Sequence, residues 1–294
     1  MKKILNFAFI GGDLRQISAI YALIKEGHNV KTYGLNPIDP IYKADSVAEC
    51  TKNAEVTVLP LPYSKDTEES IDIKTLNTPL WNQPVYMGEV LDSIKNCSVI
   101  LAGKVDPPLV DICDKKGILV ADYASREEFE IMNAIPTAEG AIELAMANTS
   151  HTIHNSNCLV AGFGRIGKVL SRYLHHLGAK VTVSARNPGD FSWIFANGYS
   201  CINTSDLSAH AEKFDIIFNT IPHLVLDSKV LGLTKKTVLI IDLASKPGGV
   251  DFDAASTLCR KTIHALSLPG KVAPDTAGII LKNTLCNLLN EMEV

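Results

Sequence analysis

Six residues, Gly162-Phe163-Gly164-Arg165-Ile166-Gly167, restrict the fold of this chain more than any other feature. The apolar run Leu159-Val160-Ala161 enters them and reads as a strand. Behind them Ile166, Val169, Leu170, Tyr173, Leu174 and Leu177 recur three and four apart, which is one face of a helix. Gly178 stops that helix, and Lys180-Val181-Thr182-Val183 reads as the next strand. Three glycines at this spacing, between a strand and a helix, do three different things. The first permits a tight turn, the second lets the main chain approach a pyrophosphate, and the third lets helix and strand pack closely. The helix N-terminus adds N–H groups aimed at the anion. Gly162, Phe163, Gly164, Arg165, Ile166 and Gly167 are therefore expected to cradle a dinucleotide.

The end of the following strand selects the dinucleotide. An NAD site carries Asp or Glu about 20 residues past the glycines, to hold the ribose 2′-hydroxyl. Here the chain reads Ser184-Ala185-Arg186-Asn187, with no acid before Asp190. A hydroxyl and a guanidinium attract a 2′-phosphate that a carboxylate would repel. NADP is the expected cofactor, with NAD possible, and Ser184, Arg186 and Asn187 are the expected contacts. Thr220, Ile221 and Pro222 end a later strand beside the nicotinamide ribose. Leu243 and Ala244, in Asp242-Leu243-Ala244-Ser245-Lys246-Pro247-Gly248-Gly249, end another near the ring.

A chain of 294 residues has room for two domains at ~100–200 residues each. The first residues repeat the same architecture. Phe7-Ala8-Phe9-Ile10 is an apolar run, Ile17, Ile20, Tyr21 and Ile24 follow at helical spacing, and Val30-Lys31-Thr32-Tyr33 is a second strand. Strands and helices alternate throughout, so the fold class is α/β: two Rossmann-like doubly wound parallel-sheet domains with a cleft between them. The expected limits are 1–135 plus 276–294 for the N-terminal substrate domain, 136–150 for an inter-domain helix, and 151–275 for the NADP-binding domain. Residues 39–52 and 63–85 show no period and are left unassigned.

Charge and cysteine content exclude several other classes. A net charge of −4 offers no field for nucleic acid. No uncharged apolar stretch approaches ~20 residues, so no membrane span is expected. The apolar run near the N-terminus is too short for a signal peptide. The seven cysteines form no CxxC pair, which argues against a disulfide framework or a zinc ribbon and for reduced thiols in the cytoplasm. No metal is expected.

On the substrate side, Gly12, Asp13 and Arg15 occupy the first strand-to-helix turn. A helix N-terminus with a nearby cation suits a small carboxylate, and a plain turn with Asp13 as N-cap suits the same residues. Arg126 is a second candidate cation or a surface charge. Thr137 is placed to cap the inter-domain helix, and Lys271 lies where the chain returns to the first domain. Lys246, His223 and Glu139 are the candidate proton acceptors; His264 is a further histidine near that region.

Two such domains resemble the D-2-hydroxyacid and alanine dehydrogenases. Those hydroxyacid enzymes place an arginine where this chain has Lys246, and a histidine loop where it reads Leu268-Pro269-Gly270-Lys271, so their catalytic set is not visible. A more specific likeness rests on Ile10-Gly11-Gly12-Asp13 with Arg15-Gln16, on Ile135-Pro136-Thr137-Ala138-Glu139-Gly140, and on Asn219-Thr220-Ile221-Pro222. It continues through Asp242 to Gly249 and Leu268 to Pro274, then Thr276-Ala277-Gly278. With these blocks the chain resembles the A-subunit family of dipicolinate synthases from spore-forming bacteria over its whole length. Lys246 departs from the arginine expected before Pro-Gly-Gly, which keeps the charge and loses the bidentate fork. The resemblance implies oxidation of a dihydrodipicolinate-type lysine-pathway intermediate to pyridine-2,6-dicarboxylate with NAD(P)+ during sporulation, in the cytoplasm of the mother cell. The partner it implies is the flavoprotein-like B subunit of the synthase. A homo-oligomer is also expected. Two other readings stay open: a non-catalytic NADP-binding subunit, and a dehydrogenase of another small amino or hydroxy acid.

Overall fold

Phe7 to Ile10 are all buried, and so are Ile216 to Asn219, because each run lies inside a parallel sheet covered on both faces. A computed structural model describes residues 3–66, 70–95 and 98–294; Cys97 lies outside the described residues. The chain begins β1 (Asn6–Ile10), α1 (Leu14–Lys25), β2 (Asn29–Tyr33), α2 (Val47–Thr51), β3 (Val56–Val58), α3 (Met87–Ser93), β4 (Val99–Ala102), α4 (Pro107–Lys116), β5 (Leu119–Asp122) and α5 (Glu127–Asn148). It continues β6 (Asn157–Ala161), α6 (Arg165–His176), β7 (Lys180–Ala185), α7 (Pro188–Ala196), β8 (Ser200–Asn203), α8 (Leu207–His210), β9 (Ile216–Asn219) and α9 (Ser228–Gly232). The last elements are β10 (Leu239–Asp242), α10 (Phe252–Thr257), β11 (Lys261–His264), α11 (Leu268–Val272) and α12 (Pro274–Glu291).

Two compact units result. One holds the residues up to Met132 with Ala273–Val294, the other Asn133–Val272. The first contains a five-stranded parallel sheet in the order β2-β1-β3-β4-β5. The second contains six parallel strands in the order β11-β10-β9-β6-β7-β8. In the second sheet the chain runs outward from β6 through β7 to β8, then returns to the other side of β6 and runs outward through β9 and β10 to β11. That is the dinucleotide-binding arrangement, and the first sheet is doubly wound in the flavodoxin-like order 2-1-3-4-5. In both, ligands bind outside the carboxyl ends of the strands where the order reverses, which is between β6 and β9 in the second unit and between β1 and β3 in the first.

In the first unit α12 lies on α1 with its Leu281, Leu285, Leu288 and Leu289 buried. Gly278 makes this contact possible, since a Cβ there would stand 2.6 Å from the Arg15 carbonyl oxygen and 2.4 Å from the Ser18 Cβ. In the second unit Ala138, Ala141 and Ala145 form a small-residue face of α5 in the same core as Val160, Leu170 and Phe218. A Cβ at Gly140 would meet Val272 at 3.1 Å and Leu268 at 3.2 Å, so this glycine seats α11 on α5.

One expectation is corrected here. The inter-domain helix starts at Glu127, not Pro136, and Pro136 lies inside it. Thr137 caps nothing: its hydroxyl donates to the Asn133 carbonyl at 2.7 Å, one turn back. That bond engages a carbonyl in the turn where Pro136 brings no N–H, which lets the helix run through.

Candidate functional site

At the turn between β6 and α6 each glycine has its own steric reason. Gly162 sits at φ +98°, and a Cβ there would lie 2.5 Å from the Thr220 hydroxyl. A Cβ on Gly167 would lie 2.3 Å from the Gly162 carbonyl oxygen, closer than any side chain permits. A Cβ on Gly164 would meet nothing within 4 Å. Room above Gly164 is what an approaching pyrophosphate needs. The first turn of α6 carries no acidic residue, and its N-cap, Gly164, offers no side chain. Its leading N–H groups therefore have no side-chain cap, and the residues fit a dinucleotide. Thr220 is held beneath the turn, its hydroxyl donating to the Ala161 carbonyl at 2.9 Å.

Beyond β7, Arg186 and Asn187 are exposed. Among the described residues Arg186 has no ion-pair partner, while Asn187 reaches Asp190 at 3.4 Å. Ser184 is placed differently from expectation. It is fully buried, and Thr204 donates to its hydroxyl at 3.3 Å. Arg186, not Ser184, is what this edge presents to a 2′-phosphate.

The carboxyl ends of β9 and β10 are tied by two buried polar residues, Asn219 and Asp242. Asp242 accepts from the Asn219 amide at 2.8 Å, the Ala244 N–H at 3.1 Å and the Gly249 N–H at 2.9 Å. Asn219 in turn accepts from the Ile221 N–H at 3.1 Å. Val225 and Leu226 both donate to the Gly249 carbonyl, which joins the loop after β9 to the loop after β10. Leu243 and Ala244 are buried at the base of this pair of loops. Pro222, His223 and Lys246 are exposed on them. His264 is structural: it bonds the Ala244 carbonyl through Nε2 at 3.2 Å and stacks on Phe252 at 5.2 Å. Sequence reasoning missed Asn219 and Asp242 as positioning residues. The signal was there, since each is a polar residue closing an apolar strand.

In the first unit, the turn after β1 satisfies itself. Asp13 caps α1 in a capping box with Gln16. Arg15 is buried, and its guanidinium bonds Asp13 at 2.7 Å and the Leu61 carbonyl at 3.1 Å. Burial works against the Arg15 charge and Asp13 outweighs it, so the guanidinium is held above its ordinary range. Gly12 stands at φ +119° against the Gln16 side chain. Arg126 is likewise engaged, with Glu128 at 2.9 Å and Glu291 at 2.6 Å. Both cations follow the structural alternative. Glu139 on α5 and Lys271 on α11 are exposed.

Two features at the carboxyl end of β4 were not expected. Lys104 is exposed, has no partner for its ammonium group among the described residues, and holds a left-handed backbone at φ 61°. Asp122 fixes that backbone by accepting from the N–H groups of Lys104 and Val105, each at 3.0 Å. Nearby in the chain, buried Lys74 pairs with Asp106, which also accepts from the Tyr63 hydroxyl at 2.8 Å. Burial, then Asp106, pushes the Tyr63 hydroxyl far above its usual range. Among the described residues no three His, Cys, Asp or Glu stand as a metal site. No helix among them is long and apolar enough to cross a membrane. The six described cysteines are free, and burial pushes the Cys50 and Cys158 thiols up to about 12.

Comparison with known proteins agrees with this geometry. Residues 6–124 match the family described as the N-terminal domain of the dipicolinate synthase A subunit. Residues 129–265 match the NAD binding domain of D-isomer specific 2-hydroxyacid dehydrogenases, which indicates a nicotinamide dinucleotide for the second unit. The chain is 34% identical to the dipicolinate synthase A subunit of Bacillus subtilis (strain 168), over 98% of this chain and 97% of that protein. Crystal structures of the A subunits from Bacillus halodurans and Bacillus subtilis superpose with TM-scores of 0.87, at 31% and 34% identity. They cover 98% and 100% of this chain, and 99% and 98% of theirs. A transhydrogenase from Sinorhizobium meliloti shares the fold alone, with a TM-score of 0.71 at 15% identity, over 97% of this chain and 94% of that one. With a dinucleotide turn, two doubly wound sheets and this extent of identity, the chain belongs to the A-subunit family of dipicolinate synthases.

Proposed function

We propose that this chain oxidises a dihydrodipicolinate-type dicarboxylate to pyridine-2,6-dicarboxylate with NADP+ as the acceptor. The observation that carries the reading is the open three-glycine turn at α6, beside an unpaired Arg186 and with no acid at the end of β7. The names of the relatives supply the product class. Their designation as the A component supports a second, flavoprotein-like B subunit in the same enzyme, and a role in the cytoplasm of the mother cell during sporulation.

A bound nicotinamide supplies the two-electron acceptor. The substrate gives up a hydride from one ring carbon and a proton from the ring, and the ring becomes aromatic. The gain of aromaticity lowers the demand on the base, so an ordinary side chain suffices. His223 takes the proton in this reading, and Lys246 pairs with a substrate carboxylate. Glu139 is the other proposed acceptor. Asn219 and Asp242 act through the loops they hold and are positioning residues. Of the first unit's cations, Lys104 takes the substrate role expected of Arg15 and Arg126, because it alone of the three has no carboxylate partner.

The test is to supply the purified chain with the enzymatically generated lysine-pathway intermediate and NADP+, following NADPH by absorbance and the product by chromatography. Equal amounts of NADPH and pyridine-2,6-dicarboxylate from the chain alone are expected. Product only after the second subunit is added would make this chain the non-catalytic partner. No product in either case rejects the substrate.

A further inference from the structure

In the second unit, α6 and α7 border a cavity of about 340 Å³ that the dinucleotide turn does not use. Phe163, Trp193 and Tyr199 form its walls, and Lys168, Arg172 and Asn197 its polar lining. Lys168 and Arg172 stand four residues apart on one face of α6. Like charges at that spacing repel and destabilise a helix unless an anion joins them. No carboxylate lines the cavity. Instead the two cations rest on aromatic faces, Lys168 at 5.7 Å from the Phe163 ring centre and Arg172 at 5.6 Å from that of Tyr173. Trp193 is 65% exposed. An indole left in water beside two cations without a carboxylate describes a surface built for something planar and negative.

We propose that this cavity binds a small aromatic carboxylate, its ring stacked against Trp193 and Phe163 and its carboxylate held by Arg172 and Lys168. The volume falls at the low end of ligand sites and admits a single substituted ring. Arg172 offers the planar fork that matches a carboxylate, and Asn197 offers a further donor. A protein partner is disfavoured by the geometry: a stable interface covers roughly 800 Å² per side, and this feature is a concavity the size of one ring. Phe163 is also the second residue of the glycine turn, so an occupant touches the same turn that meets the dinucleotide from its other side.

Trp193 reports directly on the cavity. The full-length chain is titrated with isophthalate, a ring with two carboxylates, and with adipate, which has two carboxylates and no ring. Binding is followed by tryptophan fluorescence and by calorimetry. Saturable quenching by isophthalate is expected, absent in Trp193→Phe. Affinity should fall at least about tenfold for adipate and about tenfold in the double variant Lys168→Ala/Arg172→Ala. The two cations stand on the outer face of α6 away from its buried residues, so the double variant keeps its fold. The absence of saturable binding, equal affinity for adipate, or unchanged affinity in the double variant overturns the proposal. A Trp193 signal that follows protein concentration and ignores isophthalate also overturns it, and assigns the face to contact between copies of the chain.

Discussion

Lys104 carries a strained backbone for a reason the fold does not need. A lysine at φ 61° costs up to about 1 kcal/mol more than a glycine would there. Asp122 meets that cost with main-chain hydrogen bonds any residue at the position would make. The side chain is then the only part of Lys104 that the strain selects. Lys104→Gly should therefore raise the melting temperature while raising KM for the dicarboxylate about 10- to 100-fold, the worth of one charge-assisted contact. Lys104→Arg should retain most of the affinity, and dinucleotide binding should not change in either variant. An unaltered KM in Lys104→Gly would remove Lys104 from the substrate. The sequence shows which residues are cations but not which are already paired. Arg15 and Arg126 stand in motif-like positions and both proved engaged, by Asp13 two residues away and by Glu291 from the far end of the chain. Long-range partners such as Glu291 leave no local signal.

At the scale of elements, the glycine turn was fully legible because each glycine answers a local constraint. That makes two substitutions diverge. Gly167→Ala forces a methyl onto the Gly162 carbonyl and should destabilise the chain by roughly 1–3 kcal/mol, read by thermal unfolding. Gly164→Ala points into open space, so stability should stay within about 0.5 kcal/mol while dinucleotide affinity falls at least tenfold. If both variants behave alike, the separate roles are mistaken. The start of α5 was not legible, because a proline normally marks a helix boundary and here Thr137 bonds the turn that Pro136 interrupts. Residues 63–85 were opaque for a related reason. Their described part is irregular, and the buried Lys74–Asp106 pair and Tyr63 give it contacts that carry no period. Burial tends to raise the Asp106 carboxyl, and Lys74, Tyr63 and the Leu109 N–H outweigh it, so its folded pKa lies below the ordinary range. A lowered folded pKa contributes stability above the unfolded value and loses it as pH falls through the folded one. The melting temperature should therefore drop as pH falls below about 4, and Asp106→Asn should flatten that dependence. A parallel pH profile in the variant would show that other carboxylates govern the acid limb.

For the whole molecule, alternation of strands and helices along the chain was enough to give two doubly wound sheets, since parallel strands need crossover connections and the rules of handedness leave few topologies. What alternation does not carry is strand order within each sheet. The order β2-β1-β3-β4-β5 of the first unit and β11-β10-β9-β6-β7-β8 of the second emerge only from pairing. The second order places β6 and β9 at the switch point, with the glycine turn, Thr220 and Asn219 all at one edge. Binding there should stabilise the folded chain by about 2.7 kcal/mol at a hundredfold excess over Kd.

The claim on which the account rests is that this edge binds a phosphorylated nicotinamide dinucleotide. Equilibrium titration of the chain with NADP+ and with NAD+, in the wild type and in Arg186→Ala, tests it directly. The account predicts NADP+ affinity at least about tenfold above NAD+, with the preference lost in Arg186→Ala because the 2′-phosphate loses its cation. Equal or tighter binding of NAD+ by the wild type, or a ratio that Arg186→Ala leaves unchanged, would contradict it.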